Sequence, residues 1–304
     1  MPISEHEFLK LADADIKYIV NKYKKNLTGV IIPNGTRRLL DSSEKLDPKT
    51  NDYKKRYIDL VSNHGLQILE LFFRHNIIHS VFPIISDISI QRSLSYRSIL
   101  SKLLLDVFSG PQFLRLYKKF NVSINIYGDI ELIKDAGLYQ AYDNIIETVK
   151  KTENHTDKHI FFGIGASDTI GADLLEKSSR FILEKNRTPT LSEQKKIYYS
   201  REVNNADFLI SFCSFKAHGM PPLICNRNTQ QYYIPAPSVI SFNKFIFRKI
   251  LYDLIFRRNP LHQSKELICK CDLDMFKEYQ KRREWIVGLG DRVGEHWIMK
   301  EIEV

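Results

Sequence analysis

Six short runs rich in β-branched and aromatic residues recur along the chain, and their recurrence constrains the fold more than any other feature. They lie at 28–33 (TGVIIP), 79–85 (HSVFPII), 122–128 (VSINIYG), 159–165 (HIFFGIG), 206–212 (ADFLISF) and 230–236 (QQYYIPA). Each is short, largely apolar and bounded by turn residues, the pattern of a buried strand. Between most of them lie segments of helical spacing. Over 57–75, Ile58, Val61, Ile68, Leu69 and Phe72 fall roughly on one face, and over 96–108 Ile99, Leu100, Leu103 and Leu104 do the same. Strands alternating with helices predict an α/β fold, a sheet of about six mainly parallel strands flanked by helices. With 304 residues the chain suits one large domain, so 1–304 reads as a single unit with an N-terminal helix within 1–25. After the sixth run the spacing turns helical around 243–258 and 273–285, with Pro260 between, which predicts a helical C-terminal extension over 243–304. Residues 41–53 (DSSEKLDPKTNDY) are polar and turn-rich and read as a loop.

The composition, 43% hydrophobic and 27% charged with a mean hydropathy of -0.28, is that of a globular chain. No stretch approaches the roughly 18 apolar residues of a membrane span, and the N-terminus lacks a basic segment followed by an apolar one. The expected location is cytoplasmic. The cysteines at 213, 225, 269 and 271 show neither paired CxxC spacing nor companion histidines, which argues against structural zinc and a disulfide framework. A formal charge of +9 and a pI near 9.2 favour an anionic partner. Nucleic acid is not expected, because no RRM or zinc finger is present, whereas a phosphate ester and peripheral contact with an acidic membrane both fit.

In open parallel sheets ligands bind beyond the carboxyl ends of the strands. The loop after the first run, Pro33-Asn34-Gly35-Thr36-Arg37-Arg38, carries the most chemistry. Gly35 lets the backbone approach a ligand, Thr36 supplies a hydroxyl, and backbone N–H groups there can point at an anion. Arg37 and Arg38 add forked guanidinium groups suited to phosphate oxygens. The alternative is a tight turn followed by two surface arginines.

The segment GVIIPNGTRRLL resembles the loop of the cis-prenyltransferases (undecaprenyl diphosphate synthase-like proteins), which place Asp-Gly-Asn-Gly-Arg after their first strand. It is more similar to a diterpene-processing branch of that superfamily, where the loop reads Asp-Gly-Thr-Arg-Arg. Further similarity runs through NDYKKRY (51–57), INIYGD (124–129), HIFFGIGASD (159–168), ADFLISF with Met220-Pro221, and RKILYDLIFRR (248–258). The resemblance implies a terpene synthase or prenyltransferase that ionises an allylic isoprenoid diphosphate of about C15 to C20. It implies Mg²⁺ as cofactor, water or a nucleoside-like acceptor to quench the cation, and a homodimer. Its diphosphate-binding residues would be Gly35, Thr36, Arg37 and Arg38. Arg37, Arg38, Tyr53 and Tyr96 would be catalytic, together with whatever stands at position 34, and the tail would lie along helix faces carrying Ile68, Phe72, Leu100 and Leu104.

Two departures qualify this. Chain-elongating members carry Arg-Thr-Ser-Gly-Glu after the fifth strand, where this chain has Ser211-Phe212-Cys213-Ser214-Phe215-Lys216, so isopentenyl elongation is not expected. Nor does the diterpene branch match there: its arginine near Ser214 and its acidic residue near Gly219 are absent. Asn34 stands where the motif has aspartate, and an amide offers Mg²⁺ no negative charge and cannot act as a base. Three explanations stay open: a metal ligand moved to Asp87, Asp129 or Asp168; an inactivating replacement of the motif aspartate; or a catalytically silent partner subunit. Gly163-Ile164-Gly165 carries little weight as a dinucleotide fingerprint, since Asp168 replaces the third glycine.

Overall fold

A computed structural model describes residues 3–33, 35, 50–166, 170–212, 219–235, 238–258, 289–293 and 296–299. The chain opens with α1 (Glu5–Lys10) and α2 (Asp13–Tyr23), so the segment expected as one helix is two. Then follow β1 (Leu27–Ile31), α3 (Asn51–Arg74), β2 (Ile77–Ile85), the short α4 (Asp87–Ile90), α5 (Leu94–Ser109), α6 (Pro111–Lys119) and β3 (Val122–Gly128). Next come α7 (Glu131–Asp135), α8 (Tyr139–Thr152), β4 (Lys158–Ile164), α9 (Ile170–Lys185), α10 (Leu191–Tyr199), β5 (Phe208–Phe212) and β6 (Gln230–Ile234). α11 (Lys244–Tyr252) continues into a π-helical turn, Asp253–Arg257. An antiparallel ribbon of β7 (Gly290–Val293) and β8 (His296–Met299) adds two strands to an extension expected to be helical.

The six long strands form one sheet in the order β3-β4-β2-β1-β5-β6, and every neighbouring pair is parallel. Side chains alternate across it as strand geometry requires. Ile31, Ile160, Phe162, Phe208 and Ile210 face the larger core under α1–α3, α5, α6, α8 and α11. Val30, Phe161, Leu209 and Tyr127 face a smaller core with Tyr198 and Tyr199 of α10. Burial on both faces explains why the strands read as apolar runs.

Polar contacts fix the helix ends. Ser4 and Glu7 form a capping box on α1, Thr190 and Glu193 another on α10, and the Thr50 hydroxyl accepts from the Tyr53 N–H at 3.3 Å. That last cap starts α3 at Asn51, so the loop expected over 41–53 gives way to helix at its end. The C-terminal extension is tied down by Arg248 of α11, only 4% exposed, whose guanidinium donates to Leu9 O and to Asp13 Oδ1 at 2.7 Å each. Its Nε donates to His75 Nε2 at 3.3 Å, while His75 Nδ1 donates to Leu71 O at 2.8 Å. Those roles require the neutral imidazole.

Burial, ahead of the neighbouring charges, pushes His75 down to about 4, His79 to about 3 and His159 to about 4. In the unfolded chain each protonates near pH 6.5. As pH falls the unfolded state therefore takes up protons first, so stability is intact above about pH 6.5 and is lost on going toward pH 4. Each histidine contributes up to about 1.4 kcal/mol per pH unit. Denaturant midpoints measured across this range should fall steeply between pH 6.5 and 4.5, and a flat profile would contradict the buried neutral assignment.

Candidate functional site

A cavity of about 490 Å³ opens beyond the carboxyl ends of β1 and β2 and runs between α3 and α5. The two helices lie side by side, so their facing stripes, Val61, Gly65 and Ile68 on one and Leu100, Leu103 and Leu104 on the other, form its walls. Phe113 of α6 and Phe162 of β4 also line it. Polar groups gather at the mouth, where Gly35 meets Tyr57, Ser86, Ser89, Arg92 and Tyr96. Deeper in, His64 is engaged, its ring Nε2 donating to Val239 O at 2.8 Å, and burial holds its pKa below the usual range. The cavity thus pairs an apolar bore with a polar, cationic opening, a shape suited to a ligand with a long hydrocarbon tail and an anionic head.

A second cavity of about 400 Å³ adjoins the first and shares Tyr57, Arg92 and Tyr96 with it. It adds Tyr53, Ser93, Ser95 and Ile99. Tyr53 and Tyr57, four residues apart on α3, lie nearly parallel with ring centroids 6.3 Å apart. The Arg92 guanidinium carbon sits 4.8 Å from the centroid of the Tyr96 ring, a cation–π contact that orients the fork while leaving its N–H groups available to an anion.

Of the site residues expected from sequence, Gly35, Tyr53 and Tyr96 come together here. Gly35 has φ 89°, the left-handed conformation that suits glycine. Asn34, Thr36, Arg37 and Arg38 lie outside the described residues, as do Asp168 and Ser214. Ile68, Leu100 and Leu104 line the cavity as expected. Phe72 does not: it is fully buried in the core, 4.9 Å from Phe247, because α3 there turns that face toward the sheet. Arg92 was missed; the available signal was an arginine four residues before Tyr96, just past the exit of β2. Gly163, in the discounted glycine pair, answers to packing, since a Cβ there would lie 2.5 Å from the Tyr127 ring.

The described residues do not make a magnesium site. No carboxylate lines either cavity, Asp129 accepts from the Glu131 N–H at 3.0 Å, and no group of three potential metal ligands occurs among them. No helix among them is long and apolar enough to cross a membrane.

With its all-parallel six-stranded sheet flanked by helices, the chain has the fold of the cis-prenyltransferases, as its likeness to solved structures shows. Its structure is similar to lavandulyl diphosphate synthase from Lavandula x intermedia in complex with dimethylallyl diphosphate (TM-score 0.63, 12% identity, 77% of this chain and 96% of that one). It is also similar to a probable undecaprenyl diphosphate synthase from Campylobacter jejuni (TM-score 0.54, 13% identity, 77% and 97%). In sequence the chain is similar to tuberculosinyl adenosine transferase of Mycobacterium tuberculosis, 27% identical over 266 residues and 84% of each chain. (+)-Kolavelool synthase of Herpetosiphon aurantiacus is 23% identical over 241 residues, 76% of each chain. No protein-family model matches. The resemblance read from the loop and the later motifs therefore extends over most of the chain.

If the bore is what receives apolar ligands, Leu103→Trp, which projects an indole into it, should weaken binding of an apolar fluorescent probe by at least about tenfold, or 1.4 kcal/mol. Unchanged probe affinity in a folded variant would place the binding elsewhere.

Proposed function

We propose that the chain is a terpene synthase or prenyl-group transferase that ionises an allylic isoprenoid diphosphate of C15 to C20 and does not elongate it with isopentenyl units. One observation carries this reading: an apolar bore whose opening is formed by the Gly35 turn, Arg92 and a group of tyrosines. The relatives' names, a tuberculosinyl transferase and a kolavelool synthase, support it.

In this reaction the bond between C1 and the bridging oxygen breaks, and its electron pair leaves with the diphosphate. Negative charge grows on the leaving group, so catalysis depends on donors already in place around it. Arg92, which lines the mouth, is assigned as one such donor, and Arg37, Arg38 and the amides around Gly35 are the further donors we assign. The allylic cation left behind faces the rings of Tyr57, Tyr53 and Tyr96, whose π-faces attract positive charge. Water or a nucleoside-like acceptor then adds to the cation and loses a proton to solvent. Assembly as a homodimer and contact with a membrane surface belong to the same proposal.

The second reading, a catalytically silent partner subunit, is favoured by Asn34 alone. One assay separates the two. Farnesyl and geranylgeranyl diphosphates are incubated with the protein and Mg²⁺, and diphosphate release is followed for the wild type, Asn34→Asp and Arg92→Ala. We expect release by the wild type, a faster rate with aspartate restored, and a loss of about 10- to 1000-fold in Arg92→Ala. If neither the wild type nor Asn34→Asp releases diphosphate or binds either substrate, the enzyme reading fails; release only by Asn34→Asp would mark the native site as silenced.

A further inference from the structure

The wall of the bore contains a glycine, Gly65, whose missing side chain no described residue closely replaces. Gly65 lies inside α3, a helix of 24 residues, where glycine is among the poorest helix formers. A glycine held inside a helix or strand usually makes room for a neighbour packed closely against it. At Gly29 of β1 and Gly163 of β4 that is so: a Cβ would lie 2.4 Å from the Phe208 ring at the first and 2.5 Å from the Tyr127 ring at the second. Among the described residues a Cβ at Gly65 would meet only the edge of the Phe113 ring, at 3.8 Å, an ordinary contact distance. Its backbone is unstrained for any residue, since its φ is not positive. No described residue fills the space that the missing side chain leaves. It belongs to the cavity, which Gly65 lines beside Val61 and Ile68, its neighbours four residues before and three after on the same helix face.

We propose that Gly65 is a specificity-determining residue: it widens the bore about two helical turns below Tyr57 and so admits a tail bulkier at that depth than a linear polyprenyl chain. The inference rests on reading the cavity as the tail-binding site. A methyl group projecting from position 65 would take up the wall space against which such a tail packs, whereas a thin linear tail can lie against the opposite wall of Leu100 and Leu103. Packed interiors register changes of a single methyl, so one substitution suffices to read the effect.

The test uses two non-hydrolysable thiolodiphosphates of equal carbon number, one with a linear C20 tail and one whose tail carries a cyclohexenyl ring. Both are titrated calorimetrically into the wild type, Gly65→Ala and Gly65→Leu, and thermal midpoints are recorded. Alanine is the better helix former, so Gly65→Ala should melt higher, by about 2 °C. At the same time it should weaken the ring-bearing analogue at least about tenfold more than the linear one, and Gly65→Leu should enlarge that gap. Opposite movements of stability and affinity exclude simple damage to the fold. Equal losses for the two analogues, or a lower midpoint accompanying both, would overturn the inference and assign Gly65 to packing. A wild type that binds the linear analogue but rejects the ringed one would overturn it too, leaving the proposed function standing. A wild type that binds neither would overturn the proposed function itself and this inference with it.

Discussion

Near its C-terminal end α3 is pinned by a stack of rings. Phe72 lies nearly parallel to Phe247 of α11 at 4.9 Å and edge-on to Phe208 of β5 at 6.0 Å. Phe208 in turn fits against the bare backbone of Gly29 in β1, where a Cβ would collide with it. One aromatic cluster thus joins α3, α11 and two central strands. Such pairs add about 0.5–1.5 kcal/mol each beyond the area they bury. With that end fixed and the start of the helix capped by Thr50, the stretch between can stand clear of the sheet without collapsing onto it, and that clearance is the cavity. The Arg248 contacts to Asp13, Leu9 and His75 hold α11 in place behind the stack. Removing one partner of such a buried charge costs about 3–5 kcal/mol, so the wall of the bore depends on a polar clamp on the far side of α3.

The two faces of the sheet divide the labour. On the α10 face, Tyr127, Tyr198 and Tyr199 pack with centroids 4.9 to 5.9 Å apart. The Tyr127 and Tyr198 hydroxyls are buried without a hydrogen-bond partner among the described residues, each at a cost of about 1–3 kcal/mol. That face is packed at the expense of polar satisfaction, consistent with a structural role. On the α3 and α5 face the reverse holds: leucines and isoleucines that could close on one another are held apart. An open apolar cavity weakens a core in proportion to its volume, so this volume fits a face on which the fold gives up packing for space.

How much of this could be read from the chain follows the same physics. All six strands were legible because burial on both faces removes polar residues from them, and the facing stripes of α3 and α5 because a half-buried helix must show its period. The start of α3 was hidden: Asn51, Asp52 and Tyr53 look like loop by composition, and only the Thr50 cap turns them into a first helical turn. Phe72 was assigned to the tunnel because periodicity gives a face but not what covers it, and Phe247 covers it from a helix distant in sequence. Arg92 was invisible because its place at the cavity comes from standing over Tyr96 and beside Tyr57, a relation between α3 and the start of α5 that spacing along one element cannot show. The β7–β8 ribbon was masked by charged and turn residues that read as the tail of a helix.

The distribution of polarity also limits where chemistry can occur. The mouth holds Arg92, Tyr57, Tyr96, Ser86 and Ser89, with Tyr53 in the adjoining cavity. Below it the described residues of the walls offer a ligand no charge, and the one polar side chain among them at depth, His64, has its ring N–H committed to Val239 O. On the proposed reaction both ends of the bond that breaks must therefore sit at the mouth, because an anion released deeper would meet no donor able to replace its hydration. The nucleophile must arrive from the same side. The apolar walls then act by exclusion: a cation held against them can be quenched only where water or an acceptor can reach it, which ties the site of bond formation to the site of ionisation.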